Sequence, residues 1–146
     1  MASLTVLGAI VARFDASGAY ADIASSGGLW VDQVPEQKAL PFVILVHEGE
    51  VPEWTMEDAY TEEVNFRFEV FAVGLAAAES IATKIKAAFD LPGQAQAAAA
   101  FSITNAAVFS CQRTSYHVAA VGELEATSQQ VYQCTLNYKL WVKKTL

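Results

Sequence analysis

The stretch YTEEVNFRFEVFAV (Tyr60–Val73) decides the fold. Val64, Phe66, Phe68 and Val70 alternate with Glu63, Asn65, Arg67 and Glu69, so an extended chain here has one apolar and one polar face. A helix would need its apolar residues three and four apart, so the segment is a half-buried strand. Phe71 then stands where a polar residue is due. Either a bulge shifts the register or the second face is covered near the strand end.

Upstream, Pro41 opens Phe42–Val46 (FVILV), a run of β-branched and aromatic residues without a polar face. That pattern belongs to a strand covered on both sides and set centrally in its sheet. Leu29–Val34 is a shorter strand, stopped by Pro35, which has no N–H for the ladder. At the start, Leu4, Leu7, Ile10, Val11 and Phe14 fall at helical spacing, with Ser3 as N-cap. Ala16 to Gly28 is rich in small residues and reads as a frayed helix end followed by a loop.

Downstream of Gly74, Ala78, Ile81, Ala82, Ile85 and Phe89 form the apolar stripe of a helix over Leu75–Phe89, ended by Leu91-Pro92-Gly93. Gln94–Ala100 suits an alanine helix or a connecting loop. Phe101–Val118 has the length and content of a strand with room to bend, and Gly122–Gln130 is polar enough for the turn after it. Tyr132, Cys134, Leu136, Tyr138, Leu140 and Val142 then alternate with Gln133, Thr135, Asn137, Lys139, Trp141 and Lys143 as a long final strand. Most strands neighbour another strand in sequence. The expected class is α+β, an antiparallel or mixed sheet of about five strands packed against two α-helices.

Length and composition agree with one domain over residues 1–146, 53% hydrophobic and 17% charged. Area scaling gives roughly 7,000 Å² exposed against roughly 23,000 Å² for the unfolded chain, enough burial for a core without metals or disulfides. Sixteen acidic and nine basic residues leave a net charge of -7, unsuited to gripping nucleic acid phosphates or an anionic membrane. Apolar runs such as Leu40–Val46 fall far short of the ~20 residues of a spanning helix. No basic start, apolar stretch and small-residue cleavage site marks a secretion signal, which points to a cytosolic chain.

Catalytic chemistry is sparse. His47 and His117 have no ligand-like partner at i+2 or i+4, and Glu48 points away from its neighbour His47 on a strand, so no metal site is expected. Cys111 and Cys134 sit on the last two strands, but a turn near Gly122–Ala126 places the residue facing Cys111 several positions beyond Cys134. Two reduced, mostly buried thiols are expected, without the His or helix start that activates a nucleophile. There is no nucleophile elbow, phosphate loop or dinucleotide fingerprint. The pairs Glu57-Asp58 and Glu62-Glu63 lie in what reads as a solvated acidic loop, where carboxylates keep ordinary pKa values. Neither catalytic residues nor a cofactor is expected.

That loop is the most informative surface feature. Eight of the sixteen acidic residues (Glu48, Glu50, Glu53, Glu57, Asp58, Glu62, Glu63, Glu69) fall between positions 48 and 69, beside one base, Arg67. Val51, Pro52, Trp54, Met56 and Tyr60 lie among them. Aromatics among charges on a long connection suit a protein interface, although Trp54 folded back onto its own sheet reads the same way. Lys139, Lys143 and Lys144 form a small opposite charge, which would favour head-to-tail contact between copies. The candidate interface is therefore Glu50, Glu53, Trp54, Met56, Glu57, Asp58, Tyr60, Glu62 and Glu63 with the three lysines.

At Val34-Pro35 and Ala39-Leu40-Pro41-Phe42-Val43-Ile44-Leu45 the sequence resembles the tail-terminator, or tail-completion, proteins of long-tailed bacteriophages. In that family a short N-terminal helix leads to a strand ending in a Val-Pro-like turn. An L-P-[FY]-V-x-L strand follows, then a long strand pair, a helix with an alanine-rich stripe and a closing β-hairpin. Each element has a counterpart from Leu4 to about Val142. The resemblance implies a structural virion protein, not an enzyme, that forms a ring, usually a hexamer, on the head-proximal end of the tail tube. It would end tube polymerisation, contact the tail tube protein and join the head-completion (neck) protein. DNA would pass through without specific binding, no membrane would be involved, and assembly would take place in the host cytoplasm. Another connector, neck or tail-tube component of the same particle is the alternative, and a cellular enzyme or small-ligand module on an α+β sheet is a more distant one.

Overall fold

The computed structural model describes residues 6–32, 39–54, 59–103, 106–123 and 129–145. Helix α1 (Val6–Asp15) buries Val6, Ala9, Ile10 and Phe14, the stripe its spacing predicts. Ser3 lies outside the described residues. The next segment is not a frayed end but a second helix, α2 (Gly18–Ile23). The Ser17 hydroxyl donates to the Phe14 carbonyl (2.6 Å), which closes α1, and Ala19 and Ile23, one turn apart, anchor α2 in the core.

Five strands form one mixed sheet in the order β1-β2-β3-β5-β4, as the expected class requires. Strand β1 (Gly28–Val31) runs parallel to β2 (Phe42–Trp54). Strand β2 is antiparallel to β3 (Ala59–Val73), and β3 to β5 (Gln130–Thr145). Strand β4 (Ala106–Glu123) is the outer partner of β5, also antiparallel. Val34 and Pro35 lie outside the described residues, and β1 ends at Val31, with Asp32 at φ 52. The Asp32 carboxylate accepts from the His47 N–H (2.9 Å) and so extends the β1–β2 ladder by one bond.

Val43, Ile44 and Leu45 are all buried, so β2 is covered on both faces here as its sequence predicts. It is not central. Strand β3 holds the middle of the sheet, and β1 covers the outer flank of β2 only from Phe42 to Leu45. Phe71 also has a definite answer. The β3–β5 register runs unbroken from Ala59 to Val73, and Phe71 stays on the second face, stacked on its cross-strand partner Phe42 (ring centroids 4.9 Å apart).

The core lies between one face of the sheet and the helices. Val64, Phe66, Phe68 and Val70 meet Leu136, Tyr138 and Leu140 there, under the buried stripe of α3 (Leu75–Phe89) and Phe14 of α1. Phe68 touches the Phe14, Phe66, Phe89 and Tyr138 rings, with centroids 4.8 to 6.2 Å away. Gln94–Ala100, which the sequence left open, is helix α4, held by Ala97. Among the described residues the helices number four where two were expected, because α2 and α4 are too short to show a periodic stripe.

Strand β4 starts at Ala106 rather than Phe101 and runs to Glu123, beyond the expected end at Val118. Register shifts between Val108 and Ser110, Arg113 and Ser115, and Ala120 and Gly122 give it the anticipated room to bend. Cys111 faces Leu140 and Cys134 faces Val118, so the thiols sit in different rows and both are free and buried.

Candidate functional site

Most of the acidic window is not a loop. Gly49–Trp54 continues β2 past a bulge at Glu48, and Ala59 opens β3, so the charges lie on the far half of a long hairpin. Alternation is weak there because glutamates, Gly49 and Pro52 interrupt it, and the sequence therefore reads as a connection. Met56, Glu57 and Asp58 lie outside the described residues. Trp54 pairs with Tyr60, and Glu53 with Thr61, as backbone partners.

The carboxylates divide into different classes. Arg67 donates to Glu48 (2.7 Å) and lies 3.3 Å from Glu69, and the Glu48 hydrogen bond, foremost, raises the Arg67 pKa. Glu63 pairs with Lys139 across β3 and β5 at 3.1 Å. Glu62, expected on a solvated surface, is 4% exposed, because the strand alternation turns it to the face that carries Val64 and Val142. It is part of the packed sheet, which corrects its placement in an exposed loop.

The three lysines do not form a separate pole. The β3–β5 register places Lys144 opposite Tyr60, Lys143 opposite Thr61 and Lys139 opposite Asn65. Basic and acidic groups therefore share one end of the sheet, and part of their attraction is spent within the chain. The far end of the β2–β3 hairpin and the start of β3 carry mixed charge. Their ion pairs are about one-third exposed or less and contribute at most about 1 kcal/mol each.

The other end is apolar. Leu75, Val118 and Val121 are exposed large hydrophobics, and all lie where β3 hands over to α3 and where β4 and β5 turn. Val118 faces Cys134, and the Tyr116 ring below it lies under the Lys86 ammonium (3.6 Å). Strand β4 extends past Val118, its expected end, to Glu123. The run Tyr116–Gly122, nearly free of charge, is the signal that could have revealed it.

Polar chemistry near the core is structural. The Tyr138 hydroxyl donates to Asp90 (2.7 Å), which also meets Arg113 at 3.5 Å. Burial foremost, with Asp90, drives the Tyr138 pKa upward. Asp90 and Arg113 border a cleft of about 310 Å³ with Pro92, Cys111 and Gln112. Burial, helped by Asp90 and opposed by Arg13, pushes the Cys111 thiol up to about 12, the reverse of what a nucleophile needs. Among the described residues no group of three or more His, Cys, Asp and Glu could hold a metal, and no helix is long and apolar enough to cross a membrane.

A family model described as "Tail completion protein gp17" matches residues 8–143. Among solved structures, the fold is similar to a chain from the "virion of native gene transfer agent (GTA) particle". The TM-score is 0.63 at 13% identity, covering 94% of each chain. A second solved chain matches with a TM-score of 0.47 at 14% identity, over 94% of this chain and 96% of that one. No curated protein matches the sequence.

Proposed function

The chain belongs to the tail completion protein gp17 family, a family of structural phage tail proteins, and from that membership we propose that it caps the tail tube. In this reading one unit spanning residues 1–146 assembles into a hexameric ring at the head-proximal end of the tube. The ring stops tube growth and offers its other side to the head-completion protein. The protein is then a component of the tail and neck of the virion, assembled in the host cytoplasm, and performs no catalysis.

The carrying observation is the family match over residues 8–143, nearly the whole chain. Two structural features support the ring. The ends of the sheet differ, one charged and one apolar, as suits a subunit that meets two different neighbours along an axis. The net charge of -7 opposes binding of the DNA that passes through. Within the candidate interface, Glu57 and Asp58 are the residues to test, because reversing Glu62 would place a lysine in a buried position.

The direct experiment adds purified protein to tail tubes assembled without it and examines them by electron microscopy. Rings on one end of tubes that then stop growing are expected. Glu57→Lys/Asp58→Lys should reduce capping or head joining, and capping together with joining at wild-type levels would remove the acidic hairpin from the interface.

A further inference from the structure

Strands β1 and β4 form the two borders of the sheet. Among the described residues, the outer flank of β4 is paired only at its start, through the Leu91–Cys111 and Ile103–Ala106 bridges. From Gln112 to Glu123 its outward N–H and C=O groups form an open template for another strand. Free flanks of stable monomers are guarded by charges, prolines or bulges. The far half of β2 shows such guarding: beyond the reach of β1 it carries a bulge, Glu50, Pro52 and Glu53. Tyr116–Ala119 on β4 is a regular segment between the register shifts at Arg113/Ser115 and Ala120/Gly122 and holds no Asp, Glu, Lys, Arg or Pro, and the Gly-Leu-Trp-Val of β1 holds none either.

The register relates the two borders. One row of the sheet runs Leu29, Val43, Val70, Cys134, Val118, and the next runs Trp30, Ile44, Glu69, Thr135, His117. Gly28–Val31 and Tyr116–Ala119 therefore end the same rows on opposite sides. Because β2, β3, β5 and β4 alternate in direction and β1 follows β2, β4 runs antiparallel to β1.

We propose that β4 of one copy adds to β1 of the next as an antiparallel pair, so that the sheet continues from subunit to subunit around the ring. This rests on the ring reading above. Rotation about a ring axis keeps each row at its own height, so borders in the same rows meet without slipping along the axis. A β4–β4 pair would instead be two-fold and close at a dimer. The β4–β1 joint also brings Val118, 38% exposed, beside Leu29 and Val31, which already pack against the core.

The test is a cross-link in the full chain. Trp30→Cys/His117→Cys places thiols directly opposite each other in the proposed pair, within reach of a disulfide. Mild oxidation of assembled protein should give a covalent ladder up to the ring number, with neither single variant forming one. Dimers from His117→Cys alone would establish β4–β4 pairing and overturn the proposal. A wild-type ring on tube ends without a ladder from the double variant would overturn the joint and leave the ring intact. Absence of any wild-type ring would contradict the ring reading itself. Independently, Val118→Glu alters an exposed position in the proposed pair and should keep the far-UV spectrum while lowering the ring population about tenfold or more. Ring formation at wild-type levels by that folded variant would also overturn the proposal.

Discussion

Phe68 is fully buried and touches four rings contributed by α1, α3, β3 and β5. Truncation to Ala removes contacts that no neighbour can replace, and Phe68→Ala should cost about 3–5 kcal/mol in urea unfolding. Cys111 makes a different prediction. Its thiol titrates near 8.5 when unfolded, and burial pushes it up to about 12 in the native chain. The native state therefore holds this proton more tightly, which stabilises fully below about pH 8.5 and is lost progressively as pH rises toward 12. Urea midpoints should fall between pH 8 and pH 11, and Cys111→Ala should flatten that slope despite a lower starting stability. Part of the slope should remain, because burial also raises the Cys134 and Tyr138 pKa values. At pH 8 both thiols should resist a colorimetric thiol reagent until denaturant is added. The inward residues of Tyr60–Val73 were legible because alternation states burial directly. Glu62 was not, because one carboxylate on the inner face of a strand looks like its solvated neighbours.

Among the elements, the approach to β2 is the tightest. A Cβ on Gly27 would lie 2.4 Å from both the Ala39 carbonyl oxygen and the Phe42 Cβ. These are not flexible side-chain ends, so Gly27→Ala must displace the β1–β2 junction and should lower Tm by several degrees while leaving β3–β5 hydrogen exchange slow. The Tyr138 hydroxyl ties β5 to the end of α3 through Asp90. Tyr138→Phe should cost about 1.5–3 kcal/mol, the usual range for a hydrogen bond to a charged group, measured by urea unfolding. Strands with clean period-two patterns and the long α3 were legible in the sequence. Helices α2 and α4 were not, because one or two turns, mostly alanine in α4, carry no periodic signal. The far half of β2 was hidden for a related reason: its guarding residues are those that also mark loops.

For the whole molecule, the five-stranded mixed sheet was legible, and the relation between its ends was not. The sequence separates the acidic window from the C-terminal lysines by some seventy positions, and the antiparallel β3–β5 pairing brings them together. A head-to-tail attraction between an acidic pole and a basic pole loses its basis once Glu63 and Lys139 pair within one chain. In the proposed ring, copies meet through the borders of the sheet, and its two ends face other components. Electron microscopy of particles assembled while the gene is silenced in its phage tests the tail-completing role most directly. DNA-filled heads beside unattached tails of uncontrolled length are expected. Joined tails of normal length, or no tails at all, would contradict that role.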